Sequence, residues 1–220
     1  MISPADFESL YALQDQALGL IREVETDFYL TGGTASSRGY LHHRFSEDLD
    51  LFVNDDARFS LWADRIGVRL AACKEWRTET SLREDRFVRF FLHRPEIALK
   101  IELVNDVPSR IGEVAQHPVL GRLDTAENIL ANKISALIDR DEPKDLADIW
   151  GFCTKLGLSI ESAIEGAQGK AAGLFQPDVA RRLLSAVTSD WELIRWIEIP
   201  SVEAYLREIH RLGERLLLSE

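Results

Sequence analysis

Tyr29-Leu-Thr-Gly-Gly-Thr-Ala-Ser-Ser-Arg-Gly-Tyr-Leu-His-His-Arg-Phe-Ser-Glu-Asp-Leu-Asp-Leu-Phe52 is the stretch on which the reading of this chain turns. The apolar run Phe28-Tyr29-Leu30 predicts a short strand that enters Thr31-Gly32-Gly33, and Thr34 to about His43 then has helical character. Leu49 to Val53 predicts the next strand, closed by Asn54-Asp55-Asp56. Glycine at a strand-to-helix turn lets the backbone approach a ligand closely. The first N–H groups of the helix, at the positive end of its dipole, suit a phosphate. Taken alone, Gly32-Gly33 is a weak signal and reads more readily as a tight turn.

Asp48 and Asp50 flank Leu49 at the head of the second strand. Side chains alternate along a strand, so both carboxylates leave one face while Leu49 and Leu51 enter the core. Two carboxylates this close repel unless a cation lies between them. Mg²⁺ takes oxygen ligands and commonly combines one or two carboxylates with substrate phosphates. The plain alternative makes one Asp a turn cap and the other a solvated edge residue. The glycine turn one helix upstream favours the metal reading.

Outward from this segment, residues 5–24 and 57–72 carry apolar residues at helical spacing. Three segments, Trp76 to Leu82, Phe87 to Leu92 and Ile97 to Val104, read as an antiparallel meander extending the sheet. In the last of these, Lys100 and Glu102 share a face. Glu102 is a candidate third carboxylate and general base, with a cross-strand salt bridge as its alternative and Asp106 as a second candidate. Gly112, Pro118 and Gly121 mark a loop region. Asp124 or Thr125 can cap a helix running to about Asp139, and Pro143 opens another. Helical patterns at 159–168, 177–190 and 201–218 follow. The expected fold class is α+β: a mixed sheet with flanking helices over residues 1–110, then a helical domain over 111–220 that completes a cleft.

Lys133 and Arg140 recur at helical spacing and could hold a polyphosphate, Arg by its planar fork and Lys as a point charge. Asp145 and Asp148 lie three apart on the next helix, so a salt-bridged helix pair is the alternative. Arg181, Arg182, Arg207, Arg211 and Arg215 could form a basic stripe, but Glu203, Glu208 and Glu214 lie among them. The net charge of −11 argues against broad, non-specific nucleic-acid binding. No apolar run reaches membrane-spanning length. The start of the chain lacks the layout of a signal peptide. Cys73 and Cys153 have no metal-site spacing and read as reduced thiols of a cytoplasmic protein.

The run from Gly32 to Phe52 resembles the signature of DNA-polymerase-β-type nucleotidyltransferases, a GG or GS turn followed by a helix and D-x-D on a strand. Gly32-Gly33-Thr34-Ala35 and Arg44-Phe-Ser-Glu-Asp-Leu-Asp-Leu-Phe52 resemble the first motif of the AbiEii/AbiGii toxin family. Lys133-Ile-Ser-Ala-Leu-Ile-Asp-Arg140 with Lys144-Asp145-Leu-Ala-Asp148 resembles its second, although Lys144 stands where that family usually has Arg. The resemblance implies that Gly32, Gly33 and Ser46 face nucleotide phosphates and that Asp48 and Asp50 bind Mg²⁺. It implies that Lys133 contacts the triphosphate and that Asp145 and Asp148 line the cleft. It further implies NTP as substrate, tRNA or another RNA as acceptor, and a cognate antitoxin. A small-molecule nucleotidyltransferase and a nucleotide-binding module without turnover are the competing readings.

Overall fold

The computed structural model describes residues 4–140, 142–170 and 173–218; Met1–Ser3, at the head of the stretch read for a signal peptide, lie outside them. The chain forms two compact units. The first comprises the chain up to Ala35, Ser46–Pro108 and Val114–Asp124. The second comprises Ser36–Phe45, Ser109–Glu113 and the chain from Thr125 onward.

In the first unit, α1 (Pro4–Arg22) leads into β1 (Tyr29–Thr31) and a short helical turn, α2 (Gly32–Thr34). After the excursion through Ser36–Phe45 come β2 (Leu49–Asn54), α3 (Phe59–Ala71), β3 (Arg77–Glu84), β4 (Phe87–His93) and β5 (Ala98–Asp106). Last are β6 (Ala115–His117) and β7 (Gly121–Leu123). Among the described residues these strands make one sheet in the order β3-β4-β5-β2-β1-β7-β6. β2 is parallel to β5 and antiparallel to β1.

The sheet's two faces follow from residue alternation. Leu49, Leu51 and Val53 of β2 and Leu99, Ile101 and Leu103 of β5 are buried on one face. α1 and α3 pack on this unit's apolar side through Phe7, Leu10, Leu13, Phe59, Trp62 and Ile66. The intervening residues, Asp48, Asp50, Lys100 and Glu102, emerge on the opposite face.

A π-helix, Ala35–Leu41, which belongs to the second unit from Ser36 onward, follows α2 directly in the chain where an ordinary helix was expected. It ends where His42, at φ 49°, returns its N–H to the Ser37 carbonyl at 2.8 Å. Around it lie α4 (Ala126–Asp139), α5 (Pro143–Thr154), α6 (Ile160–Gln168), α7 (Gln176–Leu184), α8 (Thr188–Glu192) and α9 (Val202–Leu218). α4 packs on α5, α6 and α7, and α9 packs on α5, α7 and α8. Leu41 sits so close to α5 that a Cβ on Gly151 would lie 2.6 Å from its Cδ1. The 36–45 segment also extends into a bridge between Arg44 and Trp196.

Three sequence expectations need correction. The 112–121 region contains β6 and β7 rather than loop alone. The helix expected over 177–190 breaks at Ser185–Val187 into α7 and α8. Arg140 is not on the face of α4, because the helix closes at Asp139 and Arg140 is extended.

Candidate active site

Gly32 has φ +66°, a left-handed conformation that a side chain disfavours. A Cβ placed there would lie 2.2 Å from Asp50 Oδ2. The glycine turn therefore rests directly against the Asp50 carboxylate, an approach only a residue without a side chain permits. Register explains the meeting: Thr31, immediately before the turn, pairs with Asp50 across β1 and β2.

Asp48 is positioned through its backbone. The Thr34 hydroxyl donates to the Asp48 carbonyl and lies 3.0 Å from the Ser46 hydroxyl. Gln14, fully buried in α1, donates its side-chain amide to the carbonyls of Ser46 at 3.2 Å and Glu47 at 3.1 Å. Tyr11 accepts from the Ser46 N–H at 3.2 Å. Thr31 donates to the buried carboxylate of Asp124 at 2.7 Å. Of the two residues proposed to cap α4, Thr125 does so by accepting from the Asn128 N–H.

Glu102 pairs with Asp50 across the parallel strands. Arg89 of β4, in register with Glu102, sets its guanidinium on Glu102 Oε1 at 2.7 Å. Lys100 Nζ lies 3.0 Å from Asp48 Oδ2 and 3.4 Å from Glu102 Oε1. Burial works to lower the Lys100 pKa, but Asp48, Glu102 and Asp50 outweigh it and hold it above the ordinary lysine value. Asp106 pairs with Asn54, four residues beyond Glu102 on β5. At strand rise that is about 13 Å away, so Asp106 is not brought to the carboxylate group.

The second constellation is an ion network inside the helical unit. Lys133 Nζ is 2.7 Å from Asp145 Oδ1 and 2.7 Å from Asp148 Oδ2, and both carboxylates are fully buried. Arg140 bends back from the end of α4 to grip Asp145 through Nε at 2.8 Å and Nη2 at 3.1 Å. Arg44 clasps Asp148 with a two-pronged contact, both bonds 2.7 Å, and His43 Nε2 adds a third at 3.0 Å. Burial alone would raise the Asp148 pKa; Arg44 and Lys133 reverse this and hold it well below the usual carboxylate range. Burial disfavours charge on Lys133, yet Asp148 and Asp145 keep its pKa above the ordinary value. His43 is driven mainly by burial and lies below its ordinary 6.5.

Of the proposed basic stripe, Arg181 pairs with Asp178 and Arg215 with Glu161, as on a solvated helix face. The cysteines are free, and burial pushes Cys153 up to about 12.

The sequence pattern of the family described as nucleotidyl transferase AbiEii toxin, type IV TA system, matches residues 20–191.

The chain belongs to the AbiEii nucleotidyltransferase toxin family.

No curated protein matches the chain by sequence. Two solved structures show the same fold. MenT4, a nucleotidyltransferase toxin from Mycobacterium tuberculosis H37Rv, is 18% identical with a TM-score of 0.68, covering 98% of this chain and 85% of its own. JHP933 from Helicobacter pylori is 20% identical with a TM-score of 0.64, covering 98% of this chain and 93% of its own.

For this AbiEii nucleotidyltransferase, sequence reasoning missed Gln14, Thr34, Arg89 and Asp124, which hold the predicted carboxylates or the glycine turn. It also missed Arg44 and His43 as partners of Asp148. Gln14 had a signal: it is a polar residue on the apolar stripe Leu10, Leu13, Ala17, Ile21.

Proposed function

We propose that this nucleotidyltransferase transfers NMP from an NTP to an acceptor hydroxyl in a Mg²⁺-dependent reaction, releasing pyrophosphate. The observation that carries the reading is the Asp50 carboxylate lying directly against the Gly32 turn, on the face that also bears Asp48. Among the described residues no three His, Cys, Asp or Glu side chains form a ready metal cluster. Two carboxylates completed by substrate oxygens and water fit Mg²⁺, which seldom takes an all-protein cage. When bound, the ion would neutralise charge on the phosphate oxygens.

The chain's own groups supply the rest. The Gly32-Gly33 backbone and Ser46 receive phosphate oxygens. Glu102, beside Asp50 in register, takes the proton of the attacking hydroxyl as the acceptor oxygen–phosphorus bond forms and the bond to pyrophosphate breaks. Lys133 and Arg140 are the cations proposed for the triphosphate, with Asp145 and Asp148 as their anchors. The acceptor is RNA, with tRNA the leading case. The type IV toxin-antitoxin family supports a cognate antitoxin, and a cytoplasmic setting is part of the proposal. A small-molecule acceptor is the second reading, favoured by the net charge of −11.

Incubation with each α-labelled NTP, Mg²⁺ and total cell extract tests this. Label in an RNase-sensitive product supports RNA. Label in a small-molecule fraction supports the second reading. Asp50→Ala is expected to abolish labelling with the circular dichroism spectrum unchanged, since Asp50 lies outside the apolar core; retained labelling removes the assignment. Lys133→Ala is expected to raise the Kd for NTP, and an unchanged Kd contradicts its role.

A further inference from the structure

On the carboxylate face, two of the cations among the described residues, Arg89 and Lys100, meet Asp48 and Glu102, and they differ in kind. Among the described acids Arg89 reaches Glu102 alone, through both Nε and Nη2, so it fixes that side chain in place. Lys100 reaches Asp48, and it spans from β5 toward the head of β2 to do so. Its ammonium lies 3.0 Å from Asp48 and 3.4 Å from Glu102, with Asp50 adding to the field it feels. The Lys100 side chain is 29% exposed and that of Asp48 34%, so neither is locked by packing. An ammonium on a four-carbon stem can swing away without disturbing the sheet, which a guanidinium fork could not do as readily.

We propose that Lys100 is the resident counter-cation of the Asp48/Asp50 pair, which a divalent ion must displace, so that metal binding is weak until a nucleotide polyphosphate takes over the Lys100 ammonium. The inference rests on the metal reading of Asp48 and Asp50 given above. It assigns Lys100 a positioning role: it sets the order and coupling of metal and nucleotide binding. A metal ion brought to Asp48 with Lys100 still in contact would place two cationic centres on one carboxylate. Like charges at such range shift affinity by about one to three powers of ten, and partial exposure puts this site at the low end.

The test is direct binding of Mn²⁺ to the full chain, read by electron paramagnetic resonance, with and without an NTP analogue whose α–β bridge cannot be cleaved. No turnover is involved. For Lys100→Met, which keeps the length and removes the charge, Mn²⁺ affinity without nucleotide is expected to rise about tenfold over wild type. The tightening caused by the analogue is expected to shrink. Lys100→Arg, retaining the charge, is expected to bind Mn²⁺ alone as weakly as wild type does. Equal Mn²⁺ affinity in wild type and Lys100→Met overturns the proposal while leaving the metal site standing. So does loss of Mn²⁺ binding in Lys100→Met alone. Absence of Mn²⁺ binding in every chain, with or without the analogue, or binding that survives Asp50→Ala, overturns the metal reading itself and the proposal with it.

Discussion

At the scale of single residues, Gly32 and Asp148 carry the sharpest consequences. Gly32→Ala forces a side chain into a left-handed conformation, at a cost of roughly 1–2 kcal/mol. It also thrusts a Cβ against the Asp50 carboxylate. Displacing a catalytic group by about 1 Å costs on the order of a hundredfold in rate. Transfer assayed by pyrophosphate release should fall by that order while the melting temperature drops only modestly. Asp148→Ala should act on stability instead. It leaves Arg44 and Lys133 buried without a shared anion, and breaking such a pair costs about 3–5 kcal/mol, measurable by urea denaturation. His43 predicts the pH response. Its pKa is lowered in the fold, so below its ordinary 6.5 the unfolded chain binds more protons. Unfolding free energy should therefore fall as pH drops from 6.5 toward the folded value, and be full above 6.5. The depressed Asp148 adds a further loss below 3.8. A His43→Asn chain whose stability declined just as steeply between pH 6.5 and 5 would contradict this.

At the scale of elements, the sequence carried most of the secondary structure and the face of β2 that bears the carboxylates. Period-two alternation and a glycine turn are local signals, and they lie next to each other in the chain. The partners that hold them are not local. Gln14 meets Ser46 and Glu47 from α1, and Arg89 meets Glu102 through a strand register that only the folded sheet defines. β6 and β7 escaped notice because three-residue strands offer no period to read, and Gly121 and Pro118 look like punctuation. The π-helix escaped because its hydrogen bonds span one residue more than those of an α-helix, a difference without a residue code. Gln14→Leu tests the clamp between α1 and the strand entry. Losing both amide bonds should cost about 1–3 kcal/mol in chemical denaturation and lower kcat more than it raises KM.

At the scale of the whole molecule, the helical unit is assembled from three separate stretches of chain. A fragment spanning 125–218 lacks Arg44 and His43, so Asp148 would keep Lys133 alone of its three basic partners, and Leu41 would be missing against Gly151. Such a fragment should show helical circular dichroism without a cooperative melt. Adding the 36–45 peptide in excess should restore protection of α5 amides from exchange.

The backbone passes from one unit to the other five times along the sequence. A crossover in the gene with one breakpoint therefore cannot graft a foreign helical half onto this sheet, because the decapeptide from Ser36 to Phe45 would stay behind with the wrong parent. Lineages carrying this architecture should inherit both halves together, and chimeras should prosper only when that short cassette travels with the C-terminal helices.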